Sequence, residues 1–419
     1  MQTNIIETLR ATSEGREADR ILRTCVHCGF CTATCPTYQL LGDELDGPRG
    51  RIYQIKNLLE GEPPTRRTQT HLDRCLTCLN CETTCPSGVE YHKLVDIGRS
   101  HLERQVARPP GERLLRWGLR QLVPYPRRFT PLLRVGQALR PVLPPVWRAK
   151  LPHRTPIAVP RSGSHARRVI LLQNCVEPAL TPGVVAASIR VLDALGIEVL
   201  RPSGGGCCGA VSQHLAAPDE ARAFMRRNID AWWTHIEAGS ESGAEAILIT
   251  ASGCGAMVKD YGWHLRDDPV YAERAAKVSA LARDPSELLG ADELARLPSP
   301  LSRGVPARIA FHPPCTLQHA QGLTGRVEGL LRGAGFELLP VRDAHSCCGS
   351  AGTYSILQPE LARRLRRDKL DALEQGGPDL IATANVGCQT HLQAASRVPV
   401  LHWIELFDPD RRLDAETRA

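Results

Sequence analysis

The sequence has no long apolar run. None of its 419 residues fall in a stretch approaching the roughly eighteen consecutive apolar residues typical of a membrane-spanning helix. Residues 1–7 also lack the basic start and apolar run typical of a secretory signal peptide. We therefore expect a cytoplasmic protein, or a peripheral one on the cytoplasmic face of the inner membrane, whose cysteines stay reduced or bind metal.

A dinucleotide-binding fingerprint is absent as well. No G-x-G-x-x-G follows a predicted strand, and the nearest glycine cluster, residues 204–209, contains two cysteines. The sequence therefore offers no site for hydride chemistry on a nicotinamide or flavin cofactor. We predict no catalytic residues in this chain, and no cofactor-binding residues other than metal ligands.

Acidic residues are scarce in one part of the chain. Residues 99–170 carry 16 lysines and arginines against Glu103 and Glu112, a net charge of +14, whereas the rest of the chain is net −7. Residues 99–167 also contain eleven prolines, so we predict short amphipathic helices joined by turns. This basic segment is either a surface that meets anionic lipid or an acidic partner subunit, or a linker packed across the domains. Nucleic-acid binding is not expected, because no recognised nucleic-acid-binding fold accompanies the segment.

Cysteine, in contrast, is abundant, with 16 residues. The run C-x2-C-x2-C-x3-C-P occurs twice, fifty residues apart, and this spacing is typical of two [4Fe–4S] clusters. Zinc is disfavoured because its sites usually come as two separated C-x2-C pairs. Three thiolates from one loop hold one cluster, and the fourth cysteine ligates the other cluster. The spacing predicts cluster 1 on Cys25, Cys28, Cys31 and Cys85, and cluster 2 on Cys75, Cys78, Cys81 and Cys35.

From residue 168 onward the pattern is α/β, and it repeats. Alternating strands and helices indicate a parallel sheet, whose ligands bind beyond the carboxyl ends of its strands. In each copy a single cysteine, a Cys-Cys-Gly run and a further cysteine follow successive predicted strands, with 31 residues between the single cysteine and the pair. We expect two sites: site 1 with Cys175, Cys207, Cys208 and Cys254, and site 2 with Cys315, Cys347, Cys348 and Cys388. Each set suits an iron–sulfur cluster or a zinc ion, and buried inert thiols are the alternative.

The two copies resemble the cysteine-rich CCG domain of heterodisulfide reductases and of related iron–sulfur proteins. The full order, two ferredoxin motifs and then two such domains, most closely resembles the glycolate oxidase iron–sulfur subunits, over nearly the whole chain. The resemblance implies an electron-transfer subunit with two [4Fe–4S] clusters. It also implies a FAD-binding 2-hydroxy-acid dehydrogenase partner, which oxidises glycolate to glyoxylate, and a membrane quinone as acceptor. Equivalent subunits of anaerobic glycerol-3-phosphate or lactate dehydrogenases are the alternative.

The sequence departs from the heterodisulfide reductase pattern in its last motif, which is C-x-x-C in that family. Met257 and His391 stand at the corresponding positions, so each repeat has four cysteines rather than five. His391 is either a metal ligand or an ordinary polar residue. The missing thiol argues against disulfide reduction by this chain, and it leaves open whether sites 1 and 2 hold clusters. Four further histidines are candidates for hydrogen bonds around the cysteines: His27, His312, His319 and His345.

These patterns together predict a multidomain α/β protein. A small, mostly helical ferredoxin-like domain with two [4Fe–4S] clusters is expected over residues 1–98, followed by the basic Pro/Arg-rich linker over 99–167. Two α/β cysteine-rich domains with parallel sheets are expected over 168–300 and 301–419.

Overall fold

The computed structural model describes residues 1–142, 157–237 and 243–411. Up to residue 105 all of the chain is described, and its regular structure is helical with no strand. Its three long helices begin at Ser13, Pro48 and Tyr91, in agreement with the mostly helical character that the sequence predicts for this part. The helices of this ferredoxin part are Glu7–Arg10, Ser13–Thr24, Phe30–Ala33, Pro36–Leu41, Pro48–Leu59, Arg66–Asp73, Asn80–Thr83 and Tyr91–Gln105, with a 3-10 turn at Glu44–Asp46.

The long helices of the ferredoxin part pack around one apolar core. Leu22, Ile55 and Leu94, one from each long helix, are fully buried in this core. Gly98 lets two of these helices approach closely, because a Cβ atom there would lie 2.7 Å from Cγ1 of Ile55. The core fixes the helices between which the two cysteine loops are held.

The described part of the basic segment forms two helices, Pro110–Leu122 and Pro126–Ala138, followed by a 3-10 turn at Arg140–Val142. Each helix has 13 residues, which is longer than the proline content predicts. Pro110 and Pro126 occupy the first helical position, where a backbone N–H has no partner within the helix. The rest of this prediction, residues 143–156, lies outside the described residues. Within the described ranges, no helix combines the length and apolar character needed to cross a bilayer.

The described residues from 167 onward contain two four-stranded parallel sheets, which confirm the predicted α/β fold. The first sheet contains β1 (Arg167–Leu171), β2 (Ile197–Leu200), β3 (Ala246–Leu248) and β4 (Ala282–Arg283), in the order β2-β1-β3-β4. The second contains β5 (Arg308–His312), β6 (Glu337–Leu338), β7 (Leu380–Thr383) and β8 (Val400–His402), in the order β6-β5-β7-β8. In both sheets the first strand lies between the second and the third, so the chain reverses direction across the sheet at the point where ligands bind in such folds.

Helices connect the strands in both repeats. The first repeat has helices at Glu177–Leu180, Pro182–Ala194, Ala210–His214, Pro218–Glu237, Ser252–Lys259, Tyr261–His264, Ala272–Leu281, Pro285–Leu288 and Ala291–Ala295. A 3-10 turn at Leu301–Arg303 precedes the second repeat. The second repeat has helices at Arg326–Gly333, Tyr354–Leu357, Pro359–Glu374, Val386–Gln393 and Trp403–Leu406, with a π-helical turn at Thr316–Ala320.

The two repeats share one hydrophobic core. Val169 of β1 and Ile309 of β5 belong to the same buried cluster, together with Trp403 near the C-terminus. At its edge the Nε atom of Arg190 donates to Oδ1 of Asp408 at 2.7 Å. The two sheets are therefore joined through their interiors as well as by the chain.

Candidate metal centres

The two ferredoxin loops enclose two neighbouring cavities. The first is lined by Cys25, Cys28, Cys31, Cys81 and Cys85. The second is lined by Cys35, Cys75, Cys78 and Cys81. Each cavity thus receives three cysteines of one loop and the fourth cysteine of the other, and Cys81 borders both. Four thiols around a cavity of this kind fit a [4Fe–4S] cluster.

Left-handed backbone conformations give the two loops their tight turn. His27 and Gly29 in the first loop have φ angles of 61° and 89°, and Thr77 and Leu79 occupy the same positions in the second loop with φ angles of 52° and 62°. Side chains other than glycine are strained in this region, and a β-branched residue such as threonine most of all. The repeated conformation brings three successive cysteines of each loop to one cavity.

Arg99 stabilises the strained second loop. This buried side chain donates from Nη1 to the hydroxyl of Thr77 at 2.9 Å. Its Nη2 atom donates to the carbonyl oxygens of Leu72 and Cys75 at 2.9 and 2.7 Å. A charged donor to backbone carbonyls is stronger than a neutral one, which offsets part of the strain at Thr77.

Polar groups also reach the sulfur atoms of the second cavity. The hydroxyl of Tyr91 donates to Sγ of Cys75 at 3.5 Å. Arg51, with 1% of its side chain exposed, approaches Sγ of Cys35 with Nη1 at 4.0 Å and donates to the hydroxyl of Thr37 at 3.1 Å. Donors and positive charge near cluster sulfurs stabilise the reduced, more negative state. The motif spacing gave no sign of these residues, because they lie on other helices.

Burial keeps several loop cysteines protonated as long as no metal binds. It raises the pKa of the Cys31 thiol to about 11 and the pKa of Cys81 well above its usual value. A bound metal withdraws electron density and displaces these protons, so metal binding at the loops releases protons.

The cysteines of sites 1 and 2 converge as the strand pattern predicts. In site 1 the thiol of Cys207 contacts those of Cys175 and Cys208, and Cys208 contacts Cys254. In site 2 the corresponding chain of thiol contacts joins Cys315, Cys347, Cys348 and Cys388. Both sets lie beyond the carboxyl ends of the first three strands of their sheet, as in other folds of this topology. All sixteen cysteines, each within the described residues, are free thiols.

Steric constraints explain why glycine follows the two cysteines in each Cys-Cys-Gly run. Gly209 and Gly349 have φ angles of 95° and 87°, and the N–H group of each donates to the sulfur two residues earlier at 3.4 Å. A Cβ atom at Gly349 would lie 2.7 Å from the carbonyl oxygen of Ala362, on the neighbouring helix. Only glycine permits both this conformation and this close approach.

The last cysteine of each set lies in the first turn of a helix. Cys254 is the third residue of Ser252–Lys259, and Cys388 is the third residue of Val386–Gln393. The amino-terminal end of each helix therefore directs its partial positive charge towards the cysteine set.

Contacts between side chains connect three of the four cysteine sets. The thiol of Cys78, in the second ferredoxin loop, makes a hydrogen-bonding contact with Cys315 of site 2. The hydroxyls of Ser252 and Thr316 lie 2.8 Å apart and join the segments next to Cys254 and Cys315. The sequence alone did not predict these contacts, because they depend on how one domain packs on another.

The remaining predicted positions are distributed around these sites. Nε2 of His391 donates to the carbonyl of Ala362 at 3.3 Å, and Met257 packs in the core of the first repeat. His319 donates from Nε2 to the carbonyl of His345 at 3.1 Å, and its Nδ1 atom accepts from a ferredoxin hydroxyl at 2.9 Å. His27 stacks on a tyrosine ring beside the first cavity. His312 lies beside two cysteines of site 2.

Comparison with known proteins agrees with this arrangement. Residues 21–89 match the 4Fe-4S dicluster domain family, and residues 169–259 and 309–393 match the cysteine-rich domain family. The chain is 58% identical over 409 residues to the glycolate oxidase iron-sulfur subunit of Escherichia coli (strain K12), which covers 97% of this chain and 98% of that protein.

Two more distant relatives show how far the similarity extends. The probable glycolate oxidase iron-sulfur subunit of Bacillus subtilis (strain 168) is 29% identical over 396 residues, 88% of this chain and 87% of that protein. Lactate utilization protein A of Exiguobacterium sp. (strain ATCC BAA-1283 / AT1b) is 26% identical over 251 residues, 57% of this chain and 96% of that protein. The resemblance and the [4Fe–4S] cofactor predicted from the sequence are confirmed, and the chain belongs to the family of glycolate oxidase iron–sulfur subunits.

Proposed function

We propose that this chain is the electron-transfer subunit of a flavin-dependent glycolate dehydrogenase complex. A FAD-binding partner subunit oxidises glycolate to glyoxylate in a two-electron step, and the electrons pass through this chain towards a membrane quinone. Iron–sulfur clusters, when bound, accept electrons one at a time. The residues of this chain hold the clusters, set their potentials and position them between donor and acceptor.

The proposed ligands are the sets of cysteines that the cavities bring together. Cluster 1 takes Cys25, Cys28, Cys31 and Cys85, and cluster 2 takes Cys75, Cys78, Cys81 and Cys35. Sites 1 and 2 hold further metal centres on their four thiols each. Support comes from the exchange of the fourth cysteine between the two cavities and from the matched geometry of the two Cys-Cys-Gly runs.

The contact between Cys78 and Cys315 carries the electron-transfer proposal. It makes a ligand of cluster 2 a direct neighbour of site 2. From there the hydroxyl pair Ser252–Thr316 leads to site 1. The cysteine sets therefore form one connected series from the first ferredoxin cavity to site 1, as expected of an electron carrier rather than of separate structural metal sites.

The first cavity supports docking of the flavin subunit. Cys28 is exposed there, and Val26 and Phe30 on the same loop have 68% and 62% of their surface exposed. Large apolar side chains exposed next to a redox centre are typical of a partner surface. Electrons arriving from the flavin would thus meet cluster 1 first.

The two helices of the basic segment support docking at an anionic membrane surface. Their exposed apolar side chains are Leu114, Leu115, Trp117, Leu132, Val135 and Leu139. Exposed arginines accompany them at Arg113, Arg127, Arg128 and Arg134. Apolar side chains combined with arginines are the pattern of helices that lie in the headgroup region of a membrane.

The same basic segment lies next to site 1. The rings of Tyr125 and Phe224 are 5.5 Å apart, and Phe224 packs with Cys175 and Cys207. Site 1 is therefore the cysteine set best placed to deliver electrons to a quinone in the membrane, and cluster 1 the one best placed to receive them.

A reconstitution experiment tests the proposal. Under anaerobic conditions, glycolate should leave the EPR spectrum of this chain unchanged, whereas dithionite should reduce its clusters. Adding the FAD-binding subunit should make reduction by glycolate possible. Reduction of the clusters by glycolate in this chain alone, or preference of the complex for lactate or glycerol 3-phosphate, would contradict the proposal.

Iron analysis counts the clusters. About eight irons per chain would mean that sites 1 and 2 hold no clusters, and about twelve to sixteen irons would mean that one or both of them hold a cluster.

Nothing in the described residues favours disulfide reduction by this chain. Met257 is buried in the apolar core, and His391 is hydrogen-bonded to a backbone carbonyl. Neither position supplies the fifth thiol of the heterodisulfide reductase pattern.

A further inference from the structure

His312 is a buried imidazole that has no hydrogen-bond partner. It is the last residue of β5, and none of its surface is exposed. Both ring nitrogens, Nδ1 and Nε2, are buried and unpaired among the described residues. Leaving a polar group buried without a partner destabilises the folded state, so such a group in a well-packed interior needs an explanation.

Apolar side chains make up much of the surroundings of this position. The cluster of buried residues next to this position consists of Ala310, Leu370, Leu373, Ile381, Leu392 and Val400, with Cys348 and Cys388. Among the described residues, the sulfurs of Cys348 and Cys388 lie close to a ring nitrogen.

One nitrogen of His312 and the sulfurs of Cys348 and Cys388 all lie within 4.8 Å of one another. In a tetrahedral zinc site the bond lengths place such donor atoms roughly 3.5–3.8 Å apart, so small adjustments suffice for all three to reach one ion. The backbone at this position is fixed, because the hydroxyl of Thr383 donates to the carbonyl of His312 at 3.0 Å. The backbone that carries the ring is therefore anchored at the edge of site 2.

We propose that His312 is a metal ligand in site 2, together with Cys348 and Cys388. The site takes a metal that accepts both imidazole and thiolate, either Zn²⁺ or an iron of an iron–sulfur cluster. The ammonium of Lys369, which donates to the carbonyl of Asp343 at 2.7 Å, faces the ring and balances thiolate charge. This inference is independent of the partner and substrate proposed above; zinc, which has no redox chemistry, would leave electron transfer to the other cysteine sets.

Site 1 lacks the corresponding ligand. The residue three positions before its first cysteine is Leu172, which is buried in an apolar cluster, whereas His312 stands three positions before Cys315. The two repeats are otherwise built alike, with the same strand order and the same Cys-Cys-Gly geometry. The metal centres of sites 1 and 2 therefore differ in their ligands.

The experiment uses the full chain, purified anaerobically with its native metals after growth with ¹⁴N- or ¹⁵N-labelled histidine. Pulsed EPR of the dithionite-reduced protein detects a histidine nitrogen bound to iron. Zinc analysis and X-ray absorption at the zinc edge detect a nitrogen–sulfur shell around zinc. We expect one of these two measurements to detect a metal-bound histidine nitrogen. Detection by pulsed EPR would identify the metal as iron, and detection by X-ray absorption would identify it as zinc. Its absence from both would overturn the proposal without touching the electron-transfer function.

Variants assign the nitrogen to this residue. His312→Leu copies the residue found at site 1, and we expect it to remove the nitrogen signal. His312→Cys supplies a thiolate instead, so metal content should remain while the nitrogen signal disappears. The matched control is His391→Gln, because His391 is hydrogen-bonded to a backbone carbonyl near the same site. This variant should leave the metal content and the nitrogen signal unchanged. A nitrogen signal that persists in either His312 variant, or that His391→Gln removes, would refute the assignment.

Discussion

The Nη1 atom of Arg51 lies 4.0 Å from the sulfur of Cys35, which places a buried positive charge next to the second ferredoxin cavity. Replacing Arg51 with Met should lower the reduction potential of cluster 2 by an amount on the order of 50–100 mV, because a nearby charge in a partly screened interior contributes a few kcal/mol. Asp46, the acidic partner of Arg51, remains paired with Arg74 at 2.8 Å, so folding should survive. Redox titration followed by EPR measures the shift.

Arg51→Lys is the control for this prediction. It keeps the charge and removes the planar group, so its potential should lie close to that of the unmodified protein. Equal shifts in the Met and Lys variants would show that packing rather than charge sets the potential.

The exchange of the fourth cysteine between the cavities predicts which cluster a mutation damages. Cys35 follows the first loop but lines the second cavity with Cys75 and Cys78. Cys35→Ala should therefore remove or convert cluster 2 and leave cluster 1 intact, and Cys85→Ala should do the reverse. EPR signals assigned to each cluster distinguish the two variants. Damage confined to cluster 1 in the Cys35 variant would contradict the exchange.

The close approach at Gly349 predicts a strong effect of a single methyl group. Gly349→Ala forces a Cβ atom to 2.7 Å from the carbonyl of Ala362, in addition to the cost of a left-handed alanine. We expect site 2 to lose its metal and the melting temperature to fall. Gly352→Ala is the control, since that glycine has a φ of 61° but open space around it. The control should cost only about 1–2 kcal/mol, as a left-handed conformation does.

The basic segment predicts binding to anionic vesicles. Replacing Arg127, Arg128 and Arg134 with Gln removes three charges worth about 1 kcal/mol each near such a surface, so affinity should fall about 100-fold. Salt should have a similar effect on the unmodified protein. A control with the same charge loss replaces three exposed arginines elsewhere, at positions 342, 363 and 367. Unchanged vesicle binding together with weaker association with the flavin subunit would assign the segment to the partner instead.

His402 predicts how stability changes with pH. Its Nε2 donates to the carbonyl of Thr250 at 2.9 Å and its Nδ1 accepts from the N–H of Ile404, so the buried ring is neutral. Burial lowers its pKa to about 4. The folded state therefore binds fewer protons than the unfolded state between pH 6.5 and 4. The contribution of His402 to the free energy of unfolding is complete above pH 6.5, and about 3 kcal/mol of it is lost as the pH falls to 4.

His402→Asn tests this contribution, because asparagine also caps a helix. Thermal unfolding from pH 8 to pH 4 should show a smaller loss of melting temperature in the variant than in the unmodified protein. Parallel curves for the two proteins would assign the acid sensitivity to other groups.

Sequence patterns predicted the parts of the fold that are set locally. The alternation of strands and helices from residue 168 onward is as predicted, and the convergence of cysteines up to about eighty residues apart follows from the geometry of parallel sheets. The outer strands β4 and β8 were not predicted. No cysteine directly follows either of them to mark its end, and they form by pairing with β3 and β7.

The features that connect the sites escaped prediction for a different reason. The contact of Cys78 with Cys315 and the position of Arg51 depend on packing between elements distant in sequence. His312 was recognised only as a histidine near cysteines. That both its nitrogens lack a partner depends on the packing of residues distant in sequence.

The common core of the two α/β repeats limits how this protein can be tuned. Because Val169 and Ile309 share one interior, neither sheet can swing relative to the other without opening that core. The distance between sites 1 and 2 therefore stays constant during turnover. The rate of electron transfer between the two sites is then altered through the reduction potential of each centre, and hence by substitutions beside the sulfurs rather than by hinge motion.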